Sequence, residues 1–576
     1  MLKRLKKYIA KYKTQVIVAP IAKLFETVTE LIIPLLIASM IDVGVANHDK
    51  HYIFVYGAIV IGLNIVGIVS AVICQKLAAR ASCGIGRDMR SNIYAKINTF
   101  SHGELDRFTT ATINNRITHD VERVSGAVGR FLRLVMRAPF LLIGSIIMAM
   151  TIDLKLSLIF VVVAPLVIGL VVIIMKKTAP LYDRTQKNLD RVSNLTRENL
   201  QGSRVIRAFN KQEYENERFD GATKALKKSS IKVAMVSTLL TPLNTIVINF
   251  AVVVVLWYGG LQVNTGALTT GQIIAFINYL SQISMSLITI ANVIIEFIKA
   301  VNCGKRIIEI MDITPSIISP EKVEIKRDLD GVLSEYAVEY DKVTFTYSGA
   351  EKPAFKDLSI KIKRGQTIGI IGGTGSGKSS VCYLIPRFYD ATKGKVLVSG
   401  VDVKEYDIHD LRSRIGIVPQ KAVLFSGSLR ENMRWQKPDA TDEEIMQAIK
   451  IAQAEDFVNE LENGLNHKVL AGGKNFSGGQ RQRLTIARAL VGRPEILIMD
   501  DSASALDFAT DYNLRKAIKQ NTDNMTVFIV SQRVNTIKNA DQIIVLDKGN
   551  VVGIGDHKTL METCDVYNEI YTSQTK

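Results

Sequence analysis

The chain has 576 residues, of which 47% are hydrophobic and 22% charged, and its formal net charge is +17. A single core rarely extends over so long a chain, so a one-domain protein is excluded. The five cysteines are scattered without metal-ligand spacing, which favours reduced thiols over a disulfide framework or a zinc site. The positive charge fits either a nucleic acid or an anionic membrane surface, and its distribution decides between them.

The N-terminal segment alternates lysines with apolar residues at helical spacing. One helical face carries Leu2, Leu5, Ile9 and Tyr12. This pattern predicts an amphipathic elbow helix on an anionic membrane surface, and a solvated basic tail is the alternative.

Six apolar stretches follow, and each is long enough for the about 20 helical residues that cross a bilayer. They lie near residues 15–42, 53–80, 134–152, 155–175, 233–262 and 270–300. Lys and Arg concentrate in two long connections, roughly 81–133 and 176–232. By the positive-inside rule these connections, both termini and everything after the last span are cytoplasmic, in a multi-pass protein of the cell membrane. The charge therefore reflects membrane topology, and nucleic acid is not predicted as a partner.

The two long connections are helical in character and extend the spanning helices into the cytosol. Each reverses at a short segment that combines a glycine with charged and aromatic residues. These tips lie at 101–108 and 198–209.

Polar residues inside the sixth span recur every three or four positions. They form one helical stripe, polar except for a methionine: Asn278, Gln282, Met285, Thr289, Asn292 and Glu296. Polar groups facing lipid would lack partners, so the stripe is expected to face a cavity or another helix. Two interpretations stay open, a substrate path and hydrogen bonding between helices without substrate contact.

Charged residues also occur in two other spans. In the first span, Lys23, Glu26 and Glu30 are spaced to pair among themselves. The cytoplasmic entry of the third span carries Arg130, Arg133 and Arg137 on one face. These arginines are interpreted as topology charges, with binding of lipid phosphates as the alternative.

A linker is predicted after the last span, because the segment 314–320 contains the two prolines Pro315 and Pro320. From about residue 336, short β-branched runs alternate with helical stretches, a pattern typical of an α/β domain. The predicted organisation is an α-helical six-span transmembrane domain (1–313), a linker (314–335) and an α/β P-loop domain (336–576).

A glycine-rich phosphate loop lies between a predicted strand, 367–371, and an apolar helix. Its residues are Gly372, Gly373, Thr374, Gly375, Ser376, Gly377, Lys378, Ser379 and Ser380. In such loops the backbone N–H groups surround phosphates, the lysine reaches the β- and γ-phosphates, and the hydroxyl after it ligates Mg²⁺. A later apolar strand ends in Asp500, whose carboxylate is expected to complete the Mg²⁺ site.

Between these elements the chain contains the sequence Ser477-Gly478-Gly479-Gln480. This segment resembles the signature of ATP-binding-cassette (ABC) proteins. Tyr347 resembles the aromatic residue that stacks on adenine, Gln420 resembles the Q-loop glutamine near Mg²⁺, and the segment 504–507, ending in Asp507, resembles the D-loop. With six preceding spans, the whole chain resembles a half-transporter of the type IV ABC exporters.

The resemblance implies ATP and Mg²⁺ as cofactors and a second half-transporter as partner. In the family, two cassettes enclose two ATP molecules, and each ATP contacts the phosphate loop of one chain and the signature of the other. Closure of the cassettes is then carried to the membrane helices by the loop tips.

Two positions depart from the family pattern. Asp501 stands where the family normally has a catalytic glutamate, and Gln532 stands where it has a histidine. The aspartate is one methylene shorter, and misplacement of attacking water by about 1 Å can cost about 10²-fold in rate. Gln532 cannot exchange a proton as imidazole does. The sequence therefore predicts a degenerate site that binds ATP and hydrolyses it poorly.

The predicted function is ATP-driven export of an amphipathic solute, such as a drug, lipid or peptide, by a heterodimer. Hydrolysis is expected mainly at the partner's site, and a homodimer is the alternative assembly. An importer of a metallophore and a nucleotide-gated regulatory subunit are the alternative functions.

Overall fold

The computed structural model describes residues 2–320, 334–502, 505–522 and 524–575, with side chains described for residues 7–574 of these ranges. They form two compact units, Met1–Asn98 with Thr110–Ile313, and Thr99–Thr109 with Thr314–Lys576. Most of the predicted linker, residues 321–333, lies outside the described residues, as do the side chains of Leu2 and Leu5 in the predicted elbow helix.

The described part of the chain before the linker contains helices joined by short connections, and no strands. The α-helices are α1 (Leu2–Lys11), α2 (Lys13–Ser39), α3 (Lys50–Ile97), α4 (His102–Arg107), α5 (Thr110–Asn115), α6 (Val121–Leu134), α7 (Arg137–Ile152), α8 (Leu154–Gln201), α9 (Ser203–Ala208), α10 (Gln212–Thr238), α11 (Leu240–Asn264) and α12 (Thr270–Met311). Two π-helical segments, Met40–Val45 and Arg116–Asp120, continue α2 and join α5 to α6.

Six helical stretches are long and apolar enough to cross a membrane, which confirms the predicted count. They are Lys13–Val45, Lys50–Ile97, Thr110–Ile152, Leu154–Gln201, Gln212–Asn264 and Thr270–Met311. The helices are longer than their apolar stretches. Helix α3, for example, has 48 residues, or about 72 Å at 1.5 Å per residue, more than twice the thickness of a hydrocarbon layer.

Close packing of α12 holds the membrane unit together. Its Tyr279 is fully buried and donates a hydrogen bond of 2.7 Å to the Leu31 carbonyl of α2. Phe276 of α12 stacks on Phe160 of α8, with ring centroids 5.1 Å apart. At Gly271 a Cβ would collide with the Ala38 carbonyl oxygen, so a glycine is required where α12 meets α2. These contacts fix α12, which carries the polar stripe, against α2 and α8.

The second unit has an α/β core, as predicted. Its strands are β1 (Tyr336–Phe345), β2 (Phe355–Lys363), β3 (Thr367–Gly372), β4 (Lys393–Val398), β5 (Val401–Asp402), β6 (Ile415–Val418), β7 (Gly427–Ser428), β8 (Lys468–Val469), β9 (Ile496–Asp500), β10 (Thr526–Val530), β11 (Gln542–Asp547) and β12 (Asn550–Gly555). Strand β3 begins where the predicted strand 367–371 begins and extends one residue further.

The helices of this unit are short, and most connect successive strands. They are α13 (Lys378–Leu384), α14 (Ile408–Ser413), α15 (Leu429–Met433), α16 (Asp442–Ile451), α17 (Glu455–Asn459), α18 (Gly478–Leu490), α19 (Phe508–Asn521), α20 (Val534–Ile537), α21 (His557–Thr563) and α22 (Asp565–Thr575), with 3₁₀ turns at Gly464–Asn466 and Ala471–Gly473.

The six-stranded sheet positions the site. Its order is β12-β11-β3-β10-β9-β6, and the strands β11, β3, β10, β9 and β6 run parallel. The carboxyl ends of parallel strands lie at one edge of a sheet, where ligands of α/β domains commonly bind. The segments that follow β3, β6, β9 and β10 therefore meet at one edge, below called the carboxyl edge. A separate sheet of order β2-β1-β4-β5 flanks this core.

The tip of the first long connection belongs to the second unit. The imidazole of His102, on α4, stacks on the ring of Phe388 with centroids 4.1 Å apart. Tyr389 donates a hydrogen bond of 2.6 Å from Oη to Oδ2 of Asp106. Helix α4 is thus joined to the α/β unit by a ring stack and a hydrogen bond to a carboxylate.

Candidate functional site

The phosphate loop links β3 to α13 in the predicted strand–loop–helix arrangement. Gly377, which precedes α13, has φ +97°, and a Cβ there would lie 2.6 Å from the Ala354 carbonyl oxygen. Only glycine fits this combination of left-handed backbone and close approach. Ser376 is 3% exposed, and its Oγ has no hydrogen-bond partner among the described residues. Gly373, Thr374 and Gly375 are exposed at the tip of the loop.

The Lys378 side chain folds back and forms hydrogen bonds to the phosphate loop. Its Nζ donates to the carbonyl oxygens of Gly372 and Gly373 at 2.9 and 2.7 Å, and the residue is 9% exposed. Burial lowers the pKa of Lys378, while the carboxylates of Asp501 and Asp500 oppose that shift. The ammonium is therefore held beside the loop by two carbonyl oxygens, and the two carboxylates offset part of the cost of its burial.

Asp500 is the buried centre of the carboxyl edge, at the end of β9 and 2% exposed. Ser379 donates to its Oδ1 at 2.8 Å, and Tyr383 donates to its Oδ2 at 2.7 Å. The structure thus joins the two predicted Mg²⁺ ligands Ser379 and Asp500. It adds Tyr383, which the motif reading missed, because the hydroxyl reaches the site only from the next turn of α13. Burial is the largest cause that raises the pKa of Tyr383, with the hydrogen bond to Asp500 next.

Asp501 follows directly, but its carboxylate has different surroundings. Its backbone is left-handed, with φ +46°, and its N–H donates to the Val530 carbonyl of the neighbouring strand at 2.9 Å. The Gln420 side chain, which follows β6, donates from Nε2 to Asp501 Oδ2 at 3.3 Å. Burial raises the pKa of Asp501, and the Gln420 hydrogen bond partly offsets that rise. Gln420 and Asp501 are therefore brought together at the carboxyl edge.

Gln532 follows β10. In the sheet, β10 lies between β3, which leads into the phosphate loop, and β9, which ends in Asp500. The residue is exposed, and its backbone carbonyl accepts a hydrogen bond of 2.7 Å from Gln574 Nε2. The neighbouring Ser531 is buried, and its N–H donates to the Ile370 carbonyl of β3 at 3.1 Å. The position of Gln532 is thus fixed through the backbone on both sides.

Tyr347 lies beside the phosphate loop and contacts it through Ser380. The two hydroxyl oxygens are 2.7 Å apart. The Tyr347 ring packs edge-on against Phe345 and Tyr389, at centroid distances of 4.7 and 5.3 Å. An aromatic surface therefore adjoins the loop at the position that the resemblance assigns to adenine stacking.

The signature segment forms the N-terminus of α18. Ser477 caps this helix: the Gln480 N–H donates to Ser477 Oγ at 3.2 Å, and the Ser477 N–H donates to Gln480 Oε1 at 2.9 Å. This reciprocal capping box fixes the first turn and exposes Ser477 and Gly478 at the positive end of a 13-residue helix. Among the described residues, no hydrogen bond joins the segment Ser477–Gln480 to the phosphate loop.

The D-loop segment is described in part, since Ser504 lies outside the described residues. Asp507 caps α19 by accepting hydrogen bonds from the Thr510 N–H at 2.9 Å and the Thr510 hydroxyl at 2.8 Å. The backbone hydrogen bond from Thr510 is the largest cause that lowers the Asp507 pKa.

The charged residues of the spans have protein partners, of which helical spacing predicts only some. Lys23 pairs with Glu26 at 2.6 Å, but Glu30 pairs across helices with Arg137 at 2.7 Å. The other two arginines also have protein partners, since Arg130 binds Glu296 at 3.1 Å and Arg133 Nη1 donates to Gln75 Oε1 at 3.1 Å.

The polar stripe of α12 divides into two groups. Asn278, Gln282, Met285 and Thr289 line a cavity of about 440 Å³, whereas Glu296 forms the ion pair with Arg130. Gln282 also accepts from Ser145 Oγ at 3.0 Å and donates to the Glu30 carbonyl at 3.3 Å. Both interpretations of the stripe thus have structural counterparts, a cavity wall and contacts between helices.

Six spans joined in one chain to an α/β unit with a phosphate loop define a polytopic membrane protein with a P-loop domain. The family description "ABC transporter transmembrane region" matches residues 16–287, and "ABC transporter" matches residues 355–504. An uncharacterised ABC transporter ATP-binding protein of Mycobacterium tuberculosis is 36% identical over all of this chain and 98% of the relative. This chain belongs to the ABC transporter family.

Two further similarities concern exporters. An ATP-dependent lipid A-core flippase of Vibrio vulnificus is 29% identical over 99% of this chain and 97% of the flippase. The solved structure of a bacterial Atm1-family ABC exporter with ATP bound superposes with a TM-score of 0.81. The two chains are 22% identical, and the match covers 98% of this chain and 99% of that one. The fold is therefore that of an ABC exporter.

Proposed function

We propose that this chain is one half of an ATP-driven exporter of amphipathic small molecules, and that its own ATP site is catalytically degenerate. The observation that carries the proposal is the carboxyl edge. It joins a complete phosphate-binding apparatus (Lys378, Ser379 and Asp500) to an aspartate and a glutamine at the two positions that activate water in the family.

ATP and Mg²⁺ fit the residues of this edge. The buried Ser376 hydroxyl, without a hydrogen-bond partner among the described residues, and the Lys378 ammonium lie in a loop shaped for phosphate oxygens. Ser379, Asp500 and Gln420 offer hydroxyl, carboxylate and amide oxygens, the ligand type that Mg²⁺ prefers. These three residues would hold the ion, which supplies charge neutralisation at the phosphates. Tyr347 would stack on the adenine ring.

The cleavage step is where the edge departs from an efficient ATPase. A general base must reach the attacking water at hydrogen-bond distance. The Asp501 carboxylate is one methylene shorter than glutamate, and Gln420 holds one of its oxygens. Gln532 can donate to a γ-phosphate but cannot take up a proton. The site is therefore expected to bind ATP stably and to hydrolyse it slowly.

The partner we propose is a second half-transporter whose phosphate loop is completed by the signature of this chain. The exposed capping box at Ser477 presents backbone N–H groups at a helix N-terminus, a good environment for a γ-phosphate. Helix α9 and its flanks also expose large apolar residues, with Leu200, Val205 and Phe209 61–73% exposed. The exposed segment is the second loop tip, which a partner cassette would cover. A heterodimer places efficient hydrolysis at the partner's phosphate loop.

Export of an amphipathic solute is supported by the exporter fold and by the relatives named as lipid A-core flippases. The long, lysine- and arginine-rich helical extensions favour a cytoplasmic location for them and for the cassette. Hydrolysis would then drive solute from the cytoplasmic side outwards.

The proposal is tested by purifying the chain alone and together with the partner captured from its native membrane. We expect ATP turnover by the chain alone to be at least about tenfold below that of the complex, since a homodimer would contain two degenerate sites. Robust turnover by the chain alone would favour a homodimer and contradict the degenerate site.

Direction is measured separately, in inside-out vesicles that contain the complex. ATP-dependent accumulation of an amphipathic fluorescent dye is expected for an exporter. ATP-dependent depletion would indicate an importer, and nucleotide-triggered flux without stoichiometric hydrolysis would indicate a gated subunit.

A further inference from the structure

The cavity in the membrane unit lies between α2, α7 and α12 and has a volume of about 440 Å³. Its lining includes the apolar residues Ile33, Ile37, Leu141 and Met285. Its polar lining residues, below together called the polar wall, include Glu30, Arg137, Asn278, Ser281, Gln282 and Ser286. The cavity is therefore amphipathic, and its volume is within the range of small-molecule sites.

The polar wall contains one full positive and one full negative charge. Arg137 Nη2 and Glu30 Oε1 are 2.7 Å apart, and the side chains remain 34% and 31% exposed. The nearby Lys23–Glu26 pair satisfies its own charges within α2, and neither residue lines the cavity. The net charge of the cavity lining is thus zero. The carboxylate belongs to α2 and the guanidinium to α7.

Two polar atoms of this wall are buried and without hydrogen-bond partners among the described residues, namely Arg137 Nε and Ser286 Oγ. Ser286 is only 3% exposed. Unpartnered buried polar atoms are costly, and in a membrane span they mark functional positions. By contrast, the Gln282 side chain is occupied by Ser145 and by the Glu30 carbonyl. Donor capacity for a ligand is therefore available at Arg137, a member of the ion pair, and at Ser286, which lines the same cavity.

We propose that this cavity binds the zwitterionic headgroup of an amphipathic ligand, with the anionic group at Arg137 and Ser286 and the cationic group at Glu30. The apolar part of the ligand packs along Ile33, Ile37 and Leu141. The inference rests on the proposed function, for which it names the substrate class. A ligand with a single charge would attract one member of the pair and leave the other uncompensated in a low-dielectric span. A zwitterion compensates both.

The test is binding in the absence of nucleotide, with the full-length assembled transporter in neutral maltoside micelles. Three probes share one fluorescent acyl chain and differ in headgroup, which is phosphocholine, phosphate or trimethylammonium. Fluorescence anisotropy should give a Kd for phosphocholine about tenfold below those of the other two. Competition by diacyl phosphatidylethanolamine or by a soluble betaine amphiphile then distinguishes a membrane lipid from a soluble ligand as the source of the headgroup.

Charge variants should invert this preference. Glu30→Gln leaves a net positive lining and should make the phosphate probe the tightest binder. Arg137→Gln leaves a net negative lining and should favour trimethylammonium. The double variant Glu30→Gln/Arg137→Gln should remove discrimination by charge. The matched control is Lys23→Gln/Glu26→Gln, which removes the other ion pair of α2 and should keep the order of the unaltered protein. Each variant must elute as the assembled transporter in gel filtration.

Unchanged headgroup order in both single variants would overturn the inference. An equal shift in the Lys23/Glu26 control would also overturn it, because the effect would then follow intramembrane charge in general. Vesicle transport of the phosphocholine probe is measured separately. If the preferences invert as expected without ATP-driven transport, the exporter proposal fails and the cavity assignment stands. If transport occurs without inversion, the cavity assignment fails alone.

Discussion

The carboxyl edge of the six-stranded sheet and the N-terminus of α18 are the two parts of the cassette that the resemblance assigns to ATP. At the edge, Lys378 donates to two carbonyl oxygens of the phosphate loop and Ser379 donates to Asp500, whereas Asp501 departs from the family residue. At α18, the signature is unaltered and is held by a complete capping box between Ser477 and Gln480. Phosphate binding and water activation are thus assigned to different residues, so one activity could be lost while the other is kept. On the proposed function, this chain would give its partner a better site than the one it keeps.

The largest effect is expected at the signature. Ser477→Arg removes the N-cap and places a bulky cation where a γ-phosphate would approach the backbone N–H groups of α18. Steady-state ATP hydrolysis by the assembled transporter should fall by about 10²-fold, the order typical for loss of a preorganised oxyanion donor. On the proposed function, this loss occurs because the variant signature no longer completes the efficient site on the partner's phosphate loop.

The matched control for this variant is Ser428→Arg. Ser428 caps α15 through a capping box with Glu431 of the same geometry, but lies outside the signature. Loss of such a cap costs about 1 kcal/mol of stability. If Ser428→Arg lowered turnover as much as Ser477→Arg, helix destabilisation rather than the signature would explain the result.

A smaller effect is expected at the phosphate loop. Lys378→Ala removes the cation that would face the β- and γ-phosphates, and should weaken binding of a fluorescent ATP analogue to this chain by about tenfold or more. Lys363→Ala is the control, since Lys363 is an exposed lysine of the same unit, paired with Glu335. Unchanged affinity in Lys378→Ala would show that the nucleotide binds elsewhere.

A modest pH effect is expected where α4 joins the cassette. Burial against Phe388 lowers the pKa of His102, Arg412 lowers it further, and Asp106 opposes the shift. Because the folded-state pKa is below the unfolded value of about 6.5, the stability contributed by neutral His102 is present above that pH. It is lost as pH falls through the folded pKa.

The measurement is the unfolding temperature of the transporter between pH 5 and 8. Acidification should lower the Tm of the unaltered protein by about 1–2 °C more than that of His102→Phe. The exposed His409→Phe is the control and should behave as the unaltered protein. Identical pH dependence in all three proteins would remove the assigned role of His102.

Local patterns predict the strands and the phosphate loop well, because alternation of β-branched runs and glycine spacing are properties of short segments. Local patterns do not predict which side chains distant in sequence will pair. The spacing of Lys23, Glu26 and Glu30 predicts pairing within one helix, and it succeeds for the first two residues only. Glu30 is 107 residues from its partner Arg137. Tyr383 was missed for a related reason, since no motif marks the second turn of α13, and only the fold places its hydroxyl on Asp500.

The smallest effect is expected at Asp501, and its comparison with Ser477 tests the central claim most directly. The measurement is steady-state ATP hydrolysis by the assembled transporter carrying either Asp501→Asn or Ser477→Arg, at equal protein concentration and saturating ATP. If the ATP site of this chain is degenerate, Asp501→Asn should stay within about twofold of the unaltered complex, while Ser477→Arg loses most turnover. Loss of turnover in Asp501→Asn together with tolerance of Ser477→Arg would contradict the account.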